Sequence, residues 1–193
     1  MTSGQSRPRR ARADARRNYE RLLAEADSAF RSNGTDAPLE AIARQAGVAI
    51  GTLYGHFPTR RALVAALLHD RNAALFRLGD GLLAEPSGLR ALTDWMRAAT
   101  RHAAAYQGLA SMLADGAANE RSELHESCVR MADFTEQLTA RARDAGAVRP
   151  GVTAADITAL ISAAAWTAER TSAESADRLL DLAFTGLRLP EGS

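Results

Sequence analysis

Along most of the chain, hydrophobic side chains recur at spacings of three and four, the period of a helix with one buried face. Tyr19, Leu22, Leu23, Ala26 and Phe30 mark the first such stripe, which begins near Arg12 and meets a stop at Asn33-Gly34. A short helix follows over residues 38–46, with Leu39, Ile42, Ala43 and Ala46 on one face. Pro38 suits its first position, and Asp36 or Ala37 would stand at or near its N-cap. Gly47 breaks it. A third short segment over residues 49–55 runs into His56-Phe57-Pro58, where the proline enforces a turn. The fourth helix begins near Thr59 or Arg60 and places Leu63, Leu67, Leu75 and Leu78 on its buried side.

Gly79 and Gly81 read as the end of that helix, and further amphipathic helices follow over 89–105, 108–113, 119–145, 153–171 and 174–187. The fold class expected from this pattern is all-α. An N-terminal helix-turn-helix domain (12–58) is followed by a connecting helix (59–80) and a C-terminal helical bundle (81–193). Residues 1–11, rich in Ser, Gly, Pro and Arg, are expected to be a disordered basic tail.

Composition agrees with helices: 42 of the 193 residues are alanine, whereas aromatics make up only 5%. A β-sandwich or barrel is nearly excluded. All 24 basic residues are arginine, so each of them is a planar, forked donor. The net charge of +1 hides a division. Residues 1–77 hold 13 Arg against 7 acidic residues, and residues 78–193 hold 11 against 16. A basic module joined to an acidic one points to nucleic acid at one end, with a solvated basic tail as the alternative. One cysteine, Cys128, excludes an intramolecular disulfide, and no apolar run reaches the ~20 residues of a membrane span. A cytoplasmic protein with no membrane partner is the expectation.

The candidate chemistry lies in Leu39-Glu-Ala-Ile-Ala-Arg-Gln-Ala-Gly-Val-Ala-Ile-Gly-Thr-Leu-Tyr-Gly-His-Phe-Pro58. Two short helices broken by a glycine form the helix-turn-helix pattern. Ile42, Ala43, Ala46, Val48 and Leu53 supply a small core, and Gly47 the positive φ of the turn. Ala49 and Gly51 are small enough for close approach to a duplex.

On these residues, and on Gly51-Thr52-Leu53-Tyr54, His56-Phe57-Pro58 and Leu63, the chain resembles the TetR family of bacterial transcriptional regulators over about residues 12–70. Val148-Arg149-Pro150-Gly151-Val152 with Ala155-Asp156 resembles a subgroup of the family's C-terminal domains. The resemblance implies that Thr52 and Tyr54 contact DNA from the recognition helix, with Ile50 and Gly51 on its exposed edge. His56 and Arg60 would grip phosphates, and Arg16 would add a backbone contact. Tyr54 as core and His56 as a turn cap are the alternatives. Two departures stand out: Ala49 where the family has Ser or Thr, and Arg60 where it has Lys.

The resemblance also implies a homodimer, with Ile157, Leu160, Ile161, Ala164, Leu179, Leu180, Ala183, Phe184 and Leu187 of the last two helices at its interface. The alternative is that both stripes are core of one protomer. Trp95, Met96, Met112, Met131, Phe134 and Trp166 would line a pocket for a small apolar or aromatic effector, or else fill a core. The expected partners are double-stranded DNA carrying a palindromic operator, such an effector, and a second copy of the chain. No cofactor is expected: His102, His125 and Cys128 are the sole metal candidates, and two of them share one helix face without further ligands. No catalytic motif supports an enzyme. A repressor released by its effector is the leading reading; a helical sensor or carrier that does not read DNA is the alternative.

Overall fold

A computed structural model describes the backbone of residues 6–187 and the side chains of residues 12–187. Among the described residues there are nine helices and no strand: α1 (Ser6–Asn33), α2 (Leu39–Gln45), α3 (Ile50–His56), α4 (Arg60–Leu83), α5 (Gly88–Ala103), α6 (Leu109–Ala118), α7 (His125–Asp144), α8 (Ala154–Arg170) and α9 (Ala173–Leu187). α1 begins at Ser6, ahead of the expected Arg12; the first five residues of the expected disordered tail lie outside the described residues.

The chain divides into two compact units, Met1–Leu68 and His69–Ser193, and the division falls inside the continuous helix α4. In the first unit, Leu22, Ala26 and Phe30 of α1 are fully buried with Ile42 of α2, Leu53 of α3 and Leu63 and Val64 of α4. Gly34 and Gly47, with φ of 74° and 68°, make the two turns that return the chain, a backbone conformation costly for residues with a Cβ. Pro38 stands at the N-cap of α2, one position earlier than expected.

In the second unit, α5 packs on α7 and α8, α8 pairs with α9, and α6 lies against α7. Its core joins Leu92, Trp95 and Met96 of α5 with Phe134 and Leu138 of α7, Ile157 and Ala164 of α8, and Leu180 and Phe184 of α9. Three polar devices hold the helix ends. Glu169 of α8 accepts from the amides of Gly108 (3.0 Å) and Ala110 (3.3 Å) at the start of α6. Arg141 of α7 donates to the carbonyls of Leu82 and Glu85 at the end of α4. Thr153 and Asp156 form a reciprocal capping box that starts α8.

Several boundaries differ from the sequence expectation for identifiable reasons. α4 continues through Gly79 and Gly81 to Leu83. Gly79 is no terminator; a Cβ there would meet the Phe134 ring at 2.7 Å, so the glycine admits that ring against the helix. Leu78 is exposed and Leu67 half-buried, the buried positions of α4 being Leu63, Val64, Leu68, Leu75, Phe76 and Leu82. α6 extends to Ala118 and α7 starts at His125 because Asn119 interposes a turn. Its side-chain oxygen accepts from the amide of Arg121, and its carbonyl from that of Ser122.

His102, near the end of α5, is buried at 4% exposure, and its Nε2 has no partner among the described residues. Burial, and then the Arg71 cation, push its pKa down to about 4. The folded protein therefore keeps the imidazole neutral, whereas the unfolded chain takes up a proton near pH 6.5. Its contribution to stability is complete above pH 6.5 and is lost as pH falls toward 4. Between pH 7 and pH 5 the loss is expected to be about 2 kcal/mol. Urea unfolding of wild type and His102→Asn at both values checks this, since the difference between the two proteins should change by that amount. An equal pH response would place the proton elsewhere.

Candidate DNA interface and ligand cavity

α2 and α3 are linked through Gly47, and their inner faces are fixed by Ile42, Ala43, Ala46 and Leu53, all buried; Val48 is half-buried. That packing leaves one face of α3 outward. Ile50 is 36% exposed and Tyr54 45%, and Gly51 and Gly55 share that side one helical turn apart. A Cβ at either glycine would meet nothing within 4 Å, so the face is low between Ile50 and Tyr54. Thr52 is half-buried at its edge. Tyr54 is thus surface rather than core.

His56 is half-buried in an aromatic group, edge-on to Tyr19 at 5.9 Å and tilted against Phe57 at 6.2 Å. Tyr19 in turn lies tilted against Phe57 at 5.1 Å, so α1 orients the end of α3. Arg16 is exposed and bound to Glu20 one turn on at 2.8 Å. Arg60 is also engaged within the fold. Its Nη1 donates to the carbonyls of Thr35 (2.7 Å) and Ala37 (2.5 Å), tying the α1–α2 loop to the start of α4. A guanidinium held in this way is a strut first, whatever its remaining donors meet. Arg21, which its sequence spacing does not single out from the other basic residues of α1, lies beside the turn. Its Nη1 is 3.8 Å from where a Gly47 Cβ would stand. An approach between residues 26 positions apart leaves no mark in local spacing.

Ala49 occupies the N-cap of α3 with φ −68° and ψ 147°, the extended geometry that a capping serine adopts, and no side chain bonds the first amides. Ala49→Ser should therefore stabilise the first unit by about 1 kcal/mol, read as a raised denaturation midpoint. An unchanged midpoint would mean that the amides are already satisfied by solvent.

The second unit has a half-open cavity of about 160 Å³ between α5, α6, α7 and α8. Six alanines (Ala99, Ala103, Ala110, Ala114, Ala117 and Ala132) make up much of its wall, with Trp95 and Met131 as its large side chains. The Trp95 Nε1–H donates to Thr135 Oγ1 at 2.9 Å, and that hydroxyl donates to the Met131 carbonyl at 2.9 Å. Cys128 also faces the cavity; its thiol donates to the Leu113 carbonyl at 3.3 Å, and burial pushes its pKa up to about 11. The thiol is neutral at pH 7 and forms wall, not nucleophile.

Of the six expected pocket residues, Trp95 and Met131 line this cavity. Met96 and Phe134 do not: both are buried in the core, Phe134 tilted against Trp95 at 5.2 Å and stacked on Phe76 at 6.1 Å. Met112 is half-buried outside the lining, and Trp166 is 58% exposed with the Arg170 guanidinium over its ring at 5.8 Å. The alanines carry no mark in the sequence, because a cavity is made where side chains are small. The expected dimer residues also divide. Ile157, Ala164, Leu180 and Phe184 are buried within the protomer and present no surface to a partner, which is the intramolecular alternative for those four. Leu160, Ile161, Leu179, Ala183 and Leu187 are half-buried, and Ile161 lines the cavity. Trp166 and Leu182, at 58% and 73% exposure, are the large apolar side chains on the outside of α8 and α9.

Among the described residues no three His, Cys, Asp or Glu side chains converge as a metal site, and no helix is long and apolar enough to cross a membrane. His125 Nδ1 lies 3.2 Å from the Gly116 carbonyl.

Residues 22–67 match the model of the bacterial regulatory proteins of the tetR family, and residues 87–189 that of the SbtR-like transcriptional regulator C-terminal domain. The TetR transcriptional regulator SCO0520 from Streptomyces coelicolor is 37% identical, with a TM-score of 0.59 over 89% of this chain and 98% of that one. A TetR transcription regulatory protein from Mycobacterium vanbaalenii is 34% identical, with a TM-score of 0.54 over 93% and 99%. The ketosteroid transcriptional regulator KstR2 of Mycobacterium tuberculosis, 20% identical with a TM-score of 0.65 over 90% and 95%, shares the fold. A comparison with curated protein sequences yields no match. With both halves matched in order and a relative above 30% identity along nearly the whole length, the chain belongs to the TetR family of transcriptional regulators.

Proposed function

We propose that the protein is a homodimeric repressor that releases a roughly palindromic operator when a small effector enters the cavity of its second unit. The low, outward face of α3 carries this reading: Ile50, Gly51 and Tyr54 lie open to a duplex while Leu53 anchors the helix behind them. In the major groove, Ile50 meets a thymine methyl and Thr52 and Tyr54 offer hydroxyls to base edges or phosphate. His56 and Arg16 serve the phosphate backbone, which positions the protein without reading sequence.

The second copy packs on the outer side of α8 and α9, where Trp166 and Leu182 are exposed and Leu160, Leu179, Ala183 and Leu187 are only half-buried. Two-fold symmetry then sets the spacing of the two recognition helices and the palindromy of the operator. α4 is the natural lever, because one unbroken helix carries the chain from the first unit into the second. For a 5–150-fold change in operator affinity, the effector must favour one geometry by about 1–3 kcal/mol.

An electrophoretic shift against DNA flanking the protein's own gene is the direct test. A retarded band that competes with itself but not with random DNA is expected. A folded dimer by sizing that retards no fragment at low salt would leave the sensor or carrier reading in its place.

A further inference from the structure

Three features of the cavity's wall bear on what it can hold. None of its lining residues is Asp, Glu, Arg or His, and the Cys128 thiol is hydrogen-bonded to a carbonyl. A carboxylate or ammonium carried in among the alanines would have no counter-charge and would lose hydration. The volume, about 160 Å³, is close to that of the ~150 Å³ apolar protein cavity that accepts benzene. One ring with a small substituent matches that volume; a long acyl chain or a fused ring system would project beyond it. Three hydroxyls reach the cavity, and Thr135 is committed on both sides, accepting from Trp95 and donating to Met131. Thr158 and Ser162 are different. They stand four residues apart on α8, hence on one face, and no hydrogen bond among the described residues uses either hydroxyl. Both positions are exposed, as are Ala114, Ala117 and Ala132 of the same wall, so this polar pair stands on the cavity's open side.

Resting on the reading of this cavity as the effector site, we propose that it takes an uncharged single-ring molecule, its ring among the alanines beside Trp95 and one hydroxyl or carbonyl substituent on Thr158 and Ser162. Trp95 favours an aromatic ring, which it meets in an offset or edge-on arrangement. Each of the two α8 hydroxyls can donate or accept, so a phenol or an aryl ketone is served equally. The acid corresponding to either finds hydroxyls but no counter-charge there and is disfavoured.

Calorimetric titration of the full-length protein at pH 7 with p-cresol, toluene, benzoate and decanoate tests this. p-Cresol, neutral at that pH, should bind roughly two- to tenfold more tightly than toluene, the preference an ordinary hydrogen bond supplies. Benzoate and decanoate, which meet no counter-charge in the wall, should bind more weakly than p-cresol. In the Thr158→Val/Ser162→Ala variant, p-cresol should fall to the affinity of toluene while toluene itself is unchanged, which also shows that the variant is folded. Ala110→Leu, which fills the ring site, should abolish both. Benzoate or decanoate binding as well as p-cresol, an unaltered p-cresol preference in the double variant, or no binding of either neutral ring by the folded protein would each overturn the proposal. Operator retardation measured beside the titration separates the two claims. p-Cresol binding with this selectivity but without effect on the operator would leave the site's chemistry standing and remove its role as effector site.

Discussion

Trp95→Ala is expected to lower the stability of the second unit by about 3–5 kcal/mol, the cost typical of truncating a buried aromatic residue. Trp95 is fully buried on α5 and serves two neighbourhoods at once. On one side its ring leans on Phe134 at 5.2 Å, and Phe134 in turn stacks on Phe76 and fills the space left by Gly79. On the other it forms cavity wall and holds Thr135 through its indole N–H. Alanine would join the vacated volume to a cavity that is already present, so the site has little prospect of collapsing to recover the loss. Trp95→Phe isolates the polar part. It keeps most of the ring, gives up one buried hydrogen bond, and should cost about 1–2 kcal/mol. Denaturant unfolding followed by circular dichroism checks both variants. A cost below about 1 kcal/mol for the alanine variant would show that the Phe76–Phe134 stack supports itself without the indole.

The same residues show where sequence reasoning succeeds and where it stops. The helix-turn-helix is written locally. Ile42, Ala43, Ala46, Gly47 and Leu53 lie within 12 positions, and each meets a requirement of its own turn or its neighbour's face. Trp95 and Met131 are recognisable because large side chains in an alanine-rich bundle must meet something. The cavity around them is not recognisable, because its boundary consists of side chains too short to fill it, spread over α5, α6 and α7. Gly79 reads locally as a helix stop and is instead a helix interior shaped by a phenylalanine 55 residues further on. The outer helices pose a related problem. A stripe such as Ile157, Ile161, Ala164 and Ala168 shows that a face is buried, but its periodicity is the same whether the neighbour is another helix of the protomer or a second copy. Burial separates the positions: Ile157 and Ala164 are enclosed inside the protomer, whereas Trp166 and Leu182 are exposed, and it is that side to which our proposal assigns the second copy.

Arg60→Ala is expected to cost the first unit about 3 kcal/mol, since it removes two charge-assisted hydrogen bonds and leaves two loop carbonyls to find other donors. The guanidinium reaches back 23 and 25 residues to Ala37 and Thr35, and both of those residues are buried. It thereby closes the turn that delivers α2 to its place against α1. Arg60→Lys should recover part of the loss, because both bonds leave one nitrogen, Nη1, and an ammonium has donors for both carbonyls, but on a side chain one atom shorter. Operator binding discriminates this role from a phosphate grip. Removing a strut from the fold lowers the fraction of competent protein and leaves the slope of log affinity against log salt unchanged. Removing a cation that pairs with a DNA phosphate flattens that slope by nearly one unit. The expected result is an unchanged slope with a lowered denaturation midpoint; a flattened slope with an unchanged midpoint would return Arg60 to the DNA backbone, where the family resemblance first placed it.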